Sequence, residues 1–245
     1  MDGPNPALPS PSPADPGPVR AGRFLRRAAE AAIRLALLVF FTTTFIVQAF
    51  RITSGSLEPT LLVGDYVLVN RMIYDNAGRG IDRITLPRRP VRRGDLVVFK
   101  DPRNPGTDLV KRIIGLPGER LEIVNKDVLI DDFPLVEPYV RHNDPFIFIP
   151  SSPVSRTLIR RDNLRPTTIP PGSVFVLGDN RDDSNDSRFW GTVPLGHLKG
   201  RPWLIYFSFE VARDQARKTT ATGRLRNAHQ SIPAVRPRRI LTVVR

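Results

Sequence analysis

The chain contains no cysteine. Disulfides, thiolate metal sites and a cysteine nucleophile are therefore excluded. The absence says nothing about compartment, because exported proteins need not carry disulfides. Histidine is scarce as well. His142, His197 and His229 are the only three, too scattered for a histidine-rich metal centre. Acidic residues are outnumbered, 24 against 37 lysines and arginines, which leaves a net charge of +13. Long apolar runs are missing too: the uncharged stretch Leu35 to Phe50 falls short of the ~20 residues a membrane-spanning helix needs. Turn formers, by contrast, are abundant. The 25 prolines and 17 glycines point to many turns rather than long helices. A hydrophobic share of 40% over 245 residues supports one good-sized domain with appendages.

The positive charge admits two kinds of partner, nucleic acid or anionic lipid headgroups. Its placement favours lipid. Arg20, Arg23, Arg26, Arg27 and Arg34 crowd the apolar stretch. Arg213, Arg217, Lys218, Arg224, Arg226, Arg236, Arg238, Arg239 and Arg245 fill the tail against a single acid, Asp214. No zinc-finger spacing, RNA-binding aromatic signature or basic zipper accompanies them.

Residues 1–30 read as a cytoplasmic leader, Pro-rich and disordered at first and then basic. Residues 31–50 read as a membrane anchor if Arg34 snorkels toward the headgroups and pairs with Glu30 one turn away. Thr42, Thr43 and Thr44 can bond back to helix carbonyls. Three readings stand for this segment: retained anchor, cleaved secretory signal or buried core helix. Gln48-Ala49 is a poor cleavage site, so a single retained transmembrane helix is expected. Arginines before it place the N-terminus in the cytoplasm and everything after Arg51 outside the inner membrane.

Beyond Arg51 the pattern is β-like. Tyr66–Asn70, Asp95–Lys100, Leu109–Ile114, Ser173–Leu177 and Trp203–Phe209 are short Val/Ile- or aromatic-rich runs bounded by turn residues. Leu121–Val124 and Val128–Ile130 flank Asn125-Lys126-Asp127 as a hairpin. The expected fold is mostly β: an antiparallel sheet domain over 51–210, with an irregular Pro-rich insertion at about 132–171 capping it. Residues 211–245 form a basic tail with Ile240 to Val244 as one further strand candidate.

Three blocks carry possible chemistry. Ser54-Gly55-Ser56-Leu57-Glu58-Pro59-Thr60-Leu61 puts a serine on a Gly- and Pro-bounded turn just after the apolar segment. Serine is a poor nucleophile until a base takes its proton. None of the histidines sits in a triad-like motif, which leaves lysine. Lys111 lies in Leu109-Val110-Lys111-Arg112-Ile113-Ile114. Alternation puts Lys111 with Leu109 and Ile113 on one strand face, toward the core. Burial would lower its pKa toward a useful base. On the residues alone, a plain Ser-Gly-Ser turn and a solvent-facing edge lysine remain open readings. The third block is Gly178-Asp179-Asn180-Arg181-Asp182-Asp183-Ser184-Asn185-Asp186-Ser187-Arg188.

In this order the three blocks resemble the bacterial type I signal peptidases, a serine–lysine protease family. The resemblance runs over roughly residues 35 to 208. It implies Ser56 as nucleophile, Lys111 as general base, and Ser54 with the Ser56 amide as oxyanion hole. Ser184 would orient the lysine. Asp179 with Arg112, Asp186 with Arg188, and Gly178 would support the site structurally. The implied activity is cleavage of signal peptides from exported preproteins after small residues of the Ala-X-Ala type. No metal and no cofactor is implied. The implied partners are preproteins delivered by the secretion machinery and membrane lipids, not nucleic acid, and the expected state is a monomer. Two positions depart from the usual pattern: Leu57 where methionine is usual, and Thr53 where proline is frequent. Other readings are a self-cleaving serine–lysine repressor, for which residues 1–50 offer no DNA-binding domain, and a basic envelope protein without peptidase activity.

Overall fold

The structure is a computed structural model that describes residues 18–41, 46–74, 89–151, 154–211 and 234–244. The leader through residue 17, Thr42 to Thr44 and the tail from Arg213 to His229 lie outside the described residues. The chain divides into two units, Met1–Thr44 and Phe45–Arg245.

The first unit carries helix α1, Pro18–Phe41. Arg26 and Arg34 both pair with Glu30, at 3.0 and 4.0 Å, through i,i+4 spacing. No helix among the described residues is long and apolar enough to cross a membrane. The single transmembrane helix expected over 31–50 is therefore not found among the described residues: the helix ends at Phe41. Arg23, Arg26, Arg27, Glu30 and Arg34 break the apolarity of α1. Val47 to Arg51 leaves helix altogether and forms strand β1. Its β-branched and aromatic residues, backed by a partner strand, prefer the pleated conformation.

The second unit is antiparallel throughout its ladders. Strands β2 (Asp65–Asn70), β3 (Leu96–Asp101), β4 (Asn104–Gly115), β5 (Arg120–Val124) and β6 (Asp127–Ile130) come first. Then follow β7 (Phe133–Pro134), helix α2 (Arg156–Asp162), β8 (Leu164–Thr168) and β9 (Ser173–Leu177). Helix α3 (Ser187–Trp190), β10 (Val193–Pro194), β11 (Leu198–Ser208) and β12 (Thr242–Val243) complete the unit. The larger, eight-stranded sheet runs β1-β2-β11-β3-β4-β9-β10, with β12 also on β11. The smaller one runs β7-β6-β5-β8.

All the anticipated strand runs appear, and β4 and β11 each begin five residues earlier than read. The Asn125-Lys126 hairpin turn has both residues at positive φ, 52° and 78°, the geometry that matches strand twist in a two-residue turn. The 132–171 stretch is less irregular than expected, since it holds β7, α2 and β8. The strand candidate at Ile240 to Val244 is realised as β12.

From Lys111 to Gly115 strand β4 is buried on both faces. Ile113 packs with Val97, Phe99, Val174 and Val176, joined by Leu109. Ile114 packs with Leu121, Ile123, Ile169 and Phe175 against the small sheet. A third cluster, of Ile52, Leu57, Leu61, Val67, Val69, Val98 and Ile205, holds the leucines of the serine turn. The site thus rests on three packed clusters rather than on a loop in solvent.

Candidate active site

Ser56 lies in a one-turn 3-10 helix, Gly55–Leu57, entered from Ser54 in extended conformation. Leu57 and Leu61 are buried, which pins the turn to the core. The turn is stapled from the front by Asn180. Its backbone N–H donates to the Ser56 carbonyl at 3.1 Å, and its side-chain amide donates to the Gly55 carbonyl at 3.1 Å. The Ser54 and Ser56 hydroxyls are 3.3 Å apart.

Strand β4 delivers Lys111, which is only 4% exposed. Burial pushes its pKa down from the ordinary 10.5 to about 8. The Asp186 carboxylate opposes that shift, and the Arg188 guanidinium adds to it. Ser56 and Lys111 line one cleft of about 870 Å³ together with Ser54, Leu109, Ser184 and Phe189.

The loop after β9 forms the remaining wall. Gly178 is needed there for space. It does not lie in the left-handed region, yet a methyl group on it would collide with Ser184 Oγ and the Ser56 carbonyl oxygen. The close turn anticipated for Gly178 is thus a close approach of the Ser184 side chain and the Ser56 backbone. Ser184 Oγ is buried without a hydrogen bond of good geometry. Its hydroxyl lies near enough to Asp186 to help stabilise that carboxylate.

Two buried ion pairs brace the loop. Arg112 grips Asp179 through two bonds, Nε to Oδ1 at 2.8 Å and Nη2 to Oδ2 at 2.7 Å. The Arg112 guanidinium also stacks 3.9 Å from the Tyr139 ring centroid. Arg188 grips Asp186 through Nε at 2.8 Å and Nη2 at 2.9 Å, and donates to the Arg161 and Arg181 carbonyls. Burial alone would raise the Asp186 pKa, but Arg188 overcomes it and holds the carboxyl below its usual range. Forked guanidinium–carboxylate pairs of this kind fix geometry as well as charge.

All nine residues singled out from the sequence therefore gather around or directly behind one cleft. Sequence reasoning missed two: Asn180, and Thr60, whose hydroxyl donates to Asp179 Oδ2 at 2.6 Å. Asn180 stood in the Gly-Asp-Asn-Arg block, so its position was flagged without a role. Among the histidines, His142 lies 3.7 Å from Asp182. Burial pushes its pKa down.

The signal peptidase, peptidase S26 family matches residues 25–207, and the chain belongs to that family. It is thus a serine peptidase, a hydrolase, as the three-block resemblance implied. Signal peptidase I of Aquifex aeolicus (strain VF5) is 31% identical over 232 residues, covering 76% of this chain and 86% of the relative. Signal peptidase I of Pseudomonas aeruginosa PAO1 is 32% identical over 195 residues, 70% of this chain and 69% of its own. That of Leptolyngbya laminosa is 32% identical over 207 residues, 82% and 88% respectively.

Proposed function

We propose that this peptidase removes signal peptides from exported preproteins at the cytoplasmic membrane. The carrying observation is a lysine buried in the same cleft as a serine, with its pKa lowered to about 8. A structural lysine gains nothing from that desolvation, whereas a general base does. In this reading neutral Lys111 takes the proton of Ser56 Oγ, and Ser56 attacks the carbonyl after a small residue. Ser54 Oγ and the Ser56 amide hold the developing oxyanion. Such donors typically contribute about 3 kcal/mol each. The lysine returns the proton to the leaving amine, an acyl-enzyme forms, and Lys111 activates the water that releases it. Ser184, which lines the cleft together with Lys111, orients the lysine amine. Arg112, Asp179, Asp186, Arg188 and Gly178 keep the loop in place.

The substrate lies extended, with main-chain pairing giving affinity and shallow pockets selecting small side chains of the Ala-X-Ala type. Membrane attachment is assigned to α1, whose Phe24, Leu25, Ile33, Leu37, Leu38 and Phe40 are all exposed. Sharing a membrane with the substrate raises their effective concentration.

The test is cleavage of a preprotein-like peptide with alanines at the first and third positions before the cut. Wild type is expected to cleave, and Ser56→Ala and Lys111→Ala to be inactive while folded. Activity surviving in Lys111→Ala would assign the base elsewhere.

A further inference from the structure

Asp65, at the start of β2, has no solvent exposure. A carboxylate so placed demands partners. The Leu62 N–H donates to it at 2.8 Å and the Ser208 hydroxyl at 2.7 Å. Its counter-charge comes from the far end of the chain. Arg239 donates through Nη2 at 2.6 Å and Nε at 3.1 Å, and Arg236 Nη1 lies 3.7 Å away. Both arginines lie beyond residues 25–207, the part that matches the family.

The same guanidinium reaches the serine turn. Arg239 Nη2 also donates to the Thr60 carbonyl at 2.9 Å, and Arg236 donates to the Val63 carbonyl at 3.2 Å. Thr60 is thereby grasped on two sides. Its carbonyl is held by the tail, and its hydroxyl by Asp179, whose neighbour Asn180 staples Ser56. The Leu61 N–H, bonded to the Leu57 carbonyl at 3.0 Å, joins Thr60's stretch of chain to the turn itself. The tail is secured by the pairing of β12 on β11 and by the bonds from Glu210 N–H to the Ala234 carbonyl and Arg236 N–H to the Ser208 carbonyl. Val244 is buried in the cluster that contains Leu57 and Leu61.

We propose that the segment Ala234–Val244 is a strap that positions the nucleophile turn from behind, with Arg239 as its positioning residue. This rests on Ser56 being the nucleophile. A serine turn displaced by about 1 Å loses on the order of a hundredfold in rate. The strap acts on the geometry of the attacking group, so its loss falls on kcat rather than KM.

The decisive variant is Arg239→Gln in the full chain, which leaves Arg236 beside Asp65 and β12 paired. Its kcat on the alanine-bearing peptide is expected to fall between about tenfold and a hundredfold, with KM little changed. Amide exchange at Leu62 and Asn180 should quicken. Arg239→Lys should recover part of the rate, because an ammonium meets Asp65 without the fork that spans Asp65 and Thr60. A chain ending at Val211 should be similarly slow, and a peptide of residues 234–245 added in trans should restore it. If that truncated chain does not fold, Arg239→Gln decides alone. Wild-type kcat and unaltered exchange in Arg239→Gln would overturn the strap. Failure of the wild type to cleave would instead overturn the substrate assignment, and exchange at Leu62 and Asn180 would still read the strap.

Discussion

Lys111 concentrates the conflict between stability and activity in one side chain. Its folded pKa of about 8 lies below the ordinary 10.5. Between those values the unfolded chain binds more protons, so raising the pH through this window favours the folded state. Below about pH 8 the cost of burying the ammonium is felt in full, roughly 3 kcal/mol. Lys111→Met removes the charge and keeps much of the length. It is expected to stabilise the fold at pH 7 by about 1–3 kcal/mol while abolishing cleavage. Urea midpoints should show this gap at pH 7 and its narrowing toward pH 10.5. Equal midpoints at pH 7 would contradict the burial argument. The catalytic counterpart has the same origin. A base works only when neutral, so kcat/KM should rise with pH and level off above about 8. A profile flat from pH 6 to 9 would exclude Lys111 as the base.

At the level of elements, the site is a turn, a strand and a loop pressed together, and Gly178 marks the tightest contact. Gly178→Ala keeps the backbone conformation but forces Ser184 or the Ser56 carbonyl to move. Overpacking of this kind costs about 1–3 kcal/mol. The expected result is a folded, less stable protein with kcat reduced more than KM is raised, measured on the same peptide. Wild-type kcat in Gly178→Ala would mean that Ser184 and Ser56 tolerate displacement. The strands that support these parts were legible because Val- and Ile-rich runs such as Ser173–Leu177 are bounded by turn residues. Strands β7, β8 and β10 were not, and each contains proline at the edge of its sheet. An edge position tolerates a missing N–H, and the same proline hides the strand from a propensity reading. The catalytic candidates were legible only through motifs. Alternation pointed Lys111 toward the core but left a solvent-facing edge lysine open; its burial comes from the cover on both faces of β4 between Lys111 and Gly115, by clusters drawn from elements distant in sequence. Thr60 and Asn180 act through bonds to Asp179 and to backbone carbonyls, and no spacing in the chain announces such partners.

Across the whole molecule, the charge excess divides into two roles. Arg236 and Arg239 turn toward Asp65, so part of the tail's positive charge is spent inside the fold rather than on lipid. In the proposed reading the membrane-facing role then falls to α1. It exposes a run of large apolar side chains from Leu35 to Phe41, next to arginines suited to anionic headgroups. Seven residues of helix span only about 10 Å, against ~30 Å for the hydrocarbon core. Attachment through α1 therefore calls for shallow insertion, because Val47 already belongs to β1. Because Met1–Thr44 forms a unit apart from the one that holds Ser56 and Lys111, deleting it should leave the chemistry intact. A chain starting at Phe45 is expected to cleave the free peptide with unchanged kcat/KM. It should no longer float with vesicles of mixed zwitterionic and anionic lipid, and it should process a vesicle-embedded preprotein more slowly. Flotation that persists after the deletion would place the lipid contact on the catalytic unit. Flotation of the full chain that disappears at high salt would mean that arginines at the surface, not inserted apolar side chains, hold the protein to the membrane.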